Sequence, residues 1–102
     1  MARIVVLYKT PKDAAAFDSY YREKHLPIAK KIPGLKRYQV SDGPVNSPSG
    51  PTGIHLIAFL DFENVDAVQK AFASPEGQAA AGDIGNFATG GADLLICETR
   101  DV

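Results

Sequence analysis

A chain of 102 residues with 45% hydrophobic and 23% charged side chains has the size and composition of one globular domain, residues 1–102, and not those of a disordered chain. Its formal net charge is −1, with basic residues gathered only at Lys30, Lys31, Lys36 and Arg37; this lacks the positive excess of a sequence-independent nucleic-acid binder. A single cysteine, Cys97, excludes an intramolecular disulfide, and no apolar run approaches the roughly 20 residues of a membrane span.

Residues 3–8 are a β-branched run closed by Thr10-Pro11, which predicts a first strand. The run is too short for a secretory leader and meets Lys9 at once, so a cytoplasmic protein is expected. Asp13 is placed to cap a helix whose face is marked by Ala14, Phe17, Tyr21, Lys24 or His25, and Ile28. Pro27 removes a backbone donor and biases Leu26 away from the α region. The helix is therefore expected to end or bend there, with a short continuation to Lys31.

Residues 35–41 predict a second strand. Residues 42–53, rich in glycine, proline and serine and without apolar periodicity, predict a long loop. Residues 54–62 are the clearest strand. Strict alternation places His55, Ile57, Phe59 and Asp61 on one face and Leu56, Ala58, Leu60 and Phe62 on the other. Asn64 then caps a helix bearing Val65, Val68 and Phe72, and Ser74-Pro75 opens an alanine-rich helical segment. Residues 92–99 form a closing strand.

The order β-α-β-β-α-β predicts an α+β, ferredoxin-like fold: a four-stranded antiparallel sheet with both helices on one side. Residues 3–8 and 54–62 are apolar on both faces, so the face away from the helices needs a cover. A second copy of the same sheet is the economical one. It predicts a twofold homodimer whose sheets enclose a barrel-like interior.

Tyr20-Tyr21-Arg22-Glu23-Lys24-His25-Leu26-Pro27, followed by Ile32-Pro33-Gly34-Leu35, resembles the EthD family: a helical F-x-x-Y-Y-x-x-x-H-x-P pattern, then P-G-L before the second strand. Val5-Val6-Leu7-Tyr8-Lys9 and Phe72-Ala73-Ser74-Pro75-Glu76-Gly77 extend the likeness over nearly the whole chain. The resemblance implies a dimeric α/β barrel, in the company of muconolactone isomerases, polyketide cyclases and cofactor-free monooxygenases. It also implies a link to ether degradation, in which the EthD-like protein has no assigned reaction.

His25 is the leading candidate for chemistry. Histidine titrates near neutrality, and the neutral ring is a base for an activated C–H or phenolic O–H; the structural alternative is a helix-end histidine meeting the dipole. Tyr21 lies four residues earlier on the same side and is the candidate catalytic phenol. Tyr20 points about 100° away. Tyr8, Tyr20, His55, Phe59 and Asp61 are the candidate substrate-binding residues, set against ordinary core or surface roles. Cys97 is expected in the core. The two histidines lack metal-ligand spacing, and the glycines match neither a P-loop nor a dinucleotide fingerprint, so no metal or cofactor is expected. Three functions remain open: a cofactor-free acid/base enzyme on a small hydrophobic carbonyl or aromatic substrate, a small-molecule carrier, and an assembly module without a ligand.

Overall fold

The computed structural model describes all residues, 1–102. Strand β1 (Ala2–Lys9) leads to α1 (Ala14–Tyr20), a π-helical turn (Tyr21–His25) and α2 (Leu26–Ala29). After β2 (Arg37–Val40), a small hairpin of β3 (Asn46–Ser47) and β4 (Gly50–Pro51) precedes β5 (Ile54–Phe62). Helices α3 (Val65–Ala73) and α4 (Pro75–Asp83), a 3-10 turn (Ile84–Asn86) and β6 (Ala92–Glu98) complete the order. The main sheet runs β2-β5-β1-β6, antiparallel throughout, as a ferredoxin-like α+β fold requires.

The expected caps form. Asp13, Asn64 and Ser74 each accept a hydrogen bond from the backbone N–H three residues on. The 42–53 segment departs from a plain loop: Asn46 pairs with Pro51 and Ser47 with Gly50. Gly50 there takes φ +119°, a conformation open to glycine.

Pro27 acts earlier than expected. The break is the π-helical turn before it, closed by Leu26 N–H donating to the Tyr21 carbonyl. The helix then restarts with Pro27 in its first turn, where a missing N–H costs nothing, and ends at Ala29. This turn also sets a face. In a regular α-helix, positions four apart drift by about 40° each step. The wider turn absorbs part of that drift, and Phe17, Tyr21, His25 and Ala29 are all buried.

The core lies between this face, α3, α4 and the inner side of the sheet, where Ile4, Val6, Tyr8, Ala58, Leu60 and Phe62 are buried. Helix α4 begins hard against the end of α3: a Cβ on Gly77 would stand 1.8 Å from the Ala71 carbonyl oxygen. Gly77→Ala is therefore expected to lower stability by about 2–3 kcal/mol, read as a lower urea midpoint at unchanged m-value.

Register places Val5 between Phe59 and Leu95 on the outer face, with Leu7 opposite Ile57. Strand β6 is the sheet edge, and Leu94, Leu95 and Ile96 are 40%, 53% and 47% exposed. Cys97, expected in the core, is exposed because it faces outward from this edge strand beside Arg3.

Candidate active site

His25 closes the π-helical turn and is buried against Phe87, their rings 4.7 Å apart. Phe87 in turn packs on Tyr8, Phe17, Tyr20 and Tyr21. The His25 Nδ1–H donates to Asp83 Oδ2 at 2.9 Å. The other oxygen of Asp83 accepts from the Tyr20 hydroxyl at 2.7 Å and from Asn86 Nδ2 at 3.0 Å. Burial pushes the Asp83 carboxyl up, but these three donors outweigh it and hold the group below the ordinary carboxylate range.

An ionised carboxylate only accepts, so it fixes the tautomer: Nδ1 carries the proton and Nε2 presents a lone pair. Burial lowers the His25 pKa against the opposing pull of Asp83, which keeps the ring neutral near pH 7. Nε2 has no partner within the chain, and no fully buried side-chain nitrogen or oxygen is left unsatisfied. Nε2 is therefore the imidazole nitrogen left free, on a residue that lines a cavity.

That cavity, about 50 Å³, lies between the helices and the inner sheet face, with Ile4, Tyr8, Tyr38, Leu60 and Ile84 among its walls. All but two of its fifteen lining residues are hydrophobic. Tyr21 does not line it; the Tyr21 hydroxyl instead lies 2.6 Å from that of Tyr38. Burial raises the pKa of Tyr8, Tyr21 and Tyr38, so all three phenols keep their protons at neutral pH.

The structure thus brings His25, Tyr21 and Tyr8 together, and ties Tyr20 to the back of the same group through Asp83. It separates the other three candidates. A register shift between Tyr8 and Lys9 leaves His55 unpaired on β5. The bulge turns His55 out of the strict alternation toward α1, where its Nε2–H donates to Asp18 Oδ1 at 2.7 Å and its ring meets Phe17 at 4.8 Å. It borders a separate cleft of about 580 Å³ beneath the 42–53 segment. Phe59 and Asp61 lie on the outer sheet face, the wrong side to meet His25. Asp61 is engaged by Arg3, whose Nε donates at 2.7 Å and whose guanidinium lies 5.8 Å from the Phe59 ring centre. The chamber at His25 is accordingly walled by this chain's own helices and sheet, and not by a facing sheet.

Asp83, Tyr38 and Phe87 were not among the expected site residues. Asp83 did carry a signal: an acid at the C-terminal end of an alanine-rich helix opposes the dipole, and such a placement asks for a partner.

The His25–Asp83 pair gives stability a pH dependence. The folded-state pKa of His25 is lowered, so the unfolded chain binds the proton more readily. The contribution is complete above the unfolded value of about 6.5 and is lost as pH falls through and below it, by at most about 1.4 kcal/mol per pH unit. Wild-type protein is expected to lose urea resistance between pH 8 and pH 5.5 more steeply than His25→Asn.

The class the structure defines is an α+β ferredoxin-like fold with a buried His–Asp pair beside an apolar cavity. The EthD domain model matches residues 9–91, and the chain belongs to the EthD family. An uncharacterised 11.0 kDa protein of the thcB–thcC intergenic region of Rhodococcus erythropolis is 42% identical over 103 residues, spanning 100% of this chain and 98% of that one. An EthD-family protein of Bacillus halodurans superposes with a TM-score of 0.89 at 33% identity, over 98% and 99% of the two chains. Two more distant structures share the fold. One is SnoaB, a cofactor-independent oxygenase from Streptomyces nogalater (TM-score 0.67, 16% identity, 99% and 94% covered). The other is a dimeric protein of unknown function from Bacteroides fragilis (TM-score 0.65, 18% identity, 96% and 95% covered). No helix is long and apolar enough to cross a membrane.

Proposed function

We propose that this EthD-family protein is a cofactor-free enzyme that moves a proton on a small hydrophobic carbonyl or aromatic substrate. One observation carries the reading: a neutral His25, oriented through Nδ1 by Asp83 and with Nε2 unpaired, lines an apolar cavity. His25 takes the proton from an activated C–H or O–H, and the imidazolium that forms is held by the Asp83 carboxylate in a charge-assisted hydrogen bond. The Tyr21–Tyr38 pair supplies phenol donation to the oxygen that gains charge. Isomerisation, cyclisation, dehydration and substrate-driven oxygenation all begin with this step. The fold shared with a cofactor-independent oxygenase supports it at the level of scaffold.

The working form is a homodimer. Val5, Leu7, Ile57, Phe59 and Leu95 make the outer sheet face apolar, and a protein of the same fold is dimeric.

The test is solvent-deuterium uptake by a panel of enolisable lactones and hydroxyaromatics in D2O, followed by proton NMR. Wild type is expected to exchange at least one of them, and His25→Gln to exchange none while remaining a folded dimer. Equal exchange by both proteins would remove His25 from the chemistry. The cavity's apolar lining also supports a carrier, which would give ligand-induced shifts of the His25 resonances with no deuterium uptake.

A further inference from the structure

The buried phenols hold more protons than they can spend on each other. Tyr21 and Tyr38 share a single hydrogen bond across 2.6 Å. Two hydroxyls sharing one bond leave one O–H proton over, and it is Tyr38's when Tyr21 donates. Tyr8 flanks Tyr21 on the other side, ring centres 5.6 Å apart, and keeps its own proton. Tyr8 and Tyr38 line the cavity at His25, and Tyr21 between them does not.

The cavity thus offers a hydrogen-bond donor from the sheet and a lone pair from the π-helical turn, with apolar walls around both. We infer that Tyr38, together with Tyr8, is an oxyanion donor, that Tyr21 is the positioning residue between them, and that the ligand is an enolisable carbonyl compound or its phenolic tautomer. Its oxygen rests on these hydroxyls and its acidic hydrogen faces His25. The volume of about 50 Å³ takes the carbonyl end, and the rest passes out beside Leu94, which is 40% exposed. In the step, Nε2 takes the α-proton and the C–H electron pair becomes a carbon–carbon π bond. The carbonyl π pair moves onto oxygen, which accepts the phenol's hydrogen bond. Returning the proton to oxygen or to another carbon completes a tautomerisation with no change in redox state. This inference rests on His25 being the base.

The probe is 2,4-pentanedione at pH 7, its enolate followed by near-ultraviolet difference absorption. Wild type is expected to raise the enolate fraction. Tyr38→Phe, which keeps the ring and deletes the hydroxyl, is expected to cut the enolate signal by about 10- to 100-fold with an unchanged circular dichroism spectrum. Tyr21→Phe is expected to cause a smaller loss, and His25→Gln to leave no enolate. Should Tyr38→Phe fail to fold, Tyr8→Phe carries the same expectation. Wild-type signal in the folded tyrosine variant, with loss only in His25→Gln, overturns the donor assignment and leaves the base standing. No enolate with wild type overturns the ligand class, and the deuterium panel then decides separately whether His25 is a base at all.

Discussion

Asp83→Asn is expected to lower turnover by about 100- to 10,000-fold while leaving the fold in place. The substitution keeps the shape of the side chain and one acceptor oxygen, so the Tyr20 hydroxyl and Asn86 can still be received. The atom facing His25 Nδ1, now 2.9 Å away as a carboxylate oxygen, becomes an amide N–H when the remaining oxygen serves Tyr20. Nδ1 must then accept, and the ring proton moves to Nε2. The lone pair that addressed the cavity disappears, and with it the counter-ion of the imidazolium. Long-range nitrogen–proton NMR of the imidazole reports this directly: the wild-type pattern is the Nδ1–H tautomer, and the variant's is Nε2–H. A variant that keeps the Nδ1–H pattern and full rate would detach Asp83 from the function. Asp83→Ala separates orientation from stability. It strands the buried His25 Nδ1–H, while the half-buried Tyr20 hydroxyl and the exposed Asn86 amide can turn to water, and is expected to cost about 1–3 kcal/mol, seen as a fall in Tm.

The second large effect concerns the outer face. Leu95→Asp is expected to convert a dimer into a monomer at micromolar concentration, raising the dimer Kd by about 1,000-fold or more. Leu95 is half-exposed in the isolated chain and stands in register with Val5, which faces Phe59 on the other side. A twofold axis places the new carboxylate at the interface twice, and each copy loses apolar burial and gains a desolvated charge. Sedimentation equilibrium measures the change. A dimer that persists in Leu95→Asp at wild-type affinity would move the interface elsewhere.

The fold was legible because its signals are local. Period-two runs at β1 and β5, and Asp13, Asn64 and Ser74 as caps, depend on neighbours a few residues away. His25 was legible for a similar reason: a histidine just before a proline, in line with Tyr21 and Phe17, is a feature of one helix. The partners of His25 were not. Asp83 and Tyr38 come from elements that only tertiary packing brings to it, and neither carries a motif. His55 shows a different limit. The alternation rule assumes an unbroken ladder, and one bulged residue moved His55 to the other side of the sheet. Asp61 was expected near a ligand because it shares a strand face with Ile57 and Phe59; its partner proves to be Arg3, 58 positions away in the chain.

The π-helical turn has a consequence for what variation this stretch can absorb. Arg22, Glu23 and Lys24 are exposed and touch nothing in the core, so their identities are free to change. Their number is tied to the wide turn, which holds one residue more than a regular helical turn. Removing one would wind the segment back to a regular helix and leave His25 and Pro27 near their present faces. In a helix without such a turn, the same extra residue would rotate everything after it by about 100° and carry His25 away from Asp83. The wide turn is thus what lets Tyr21 and His25 share a face with one residue more between them.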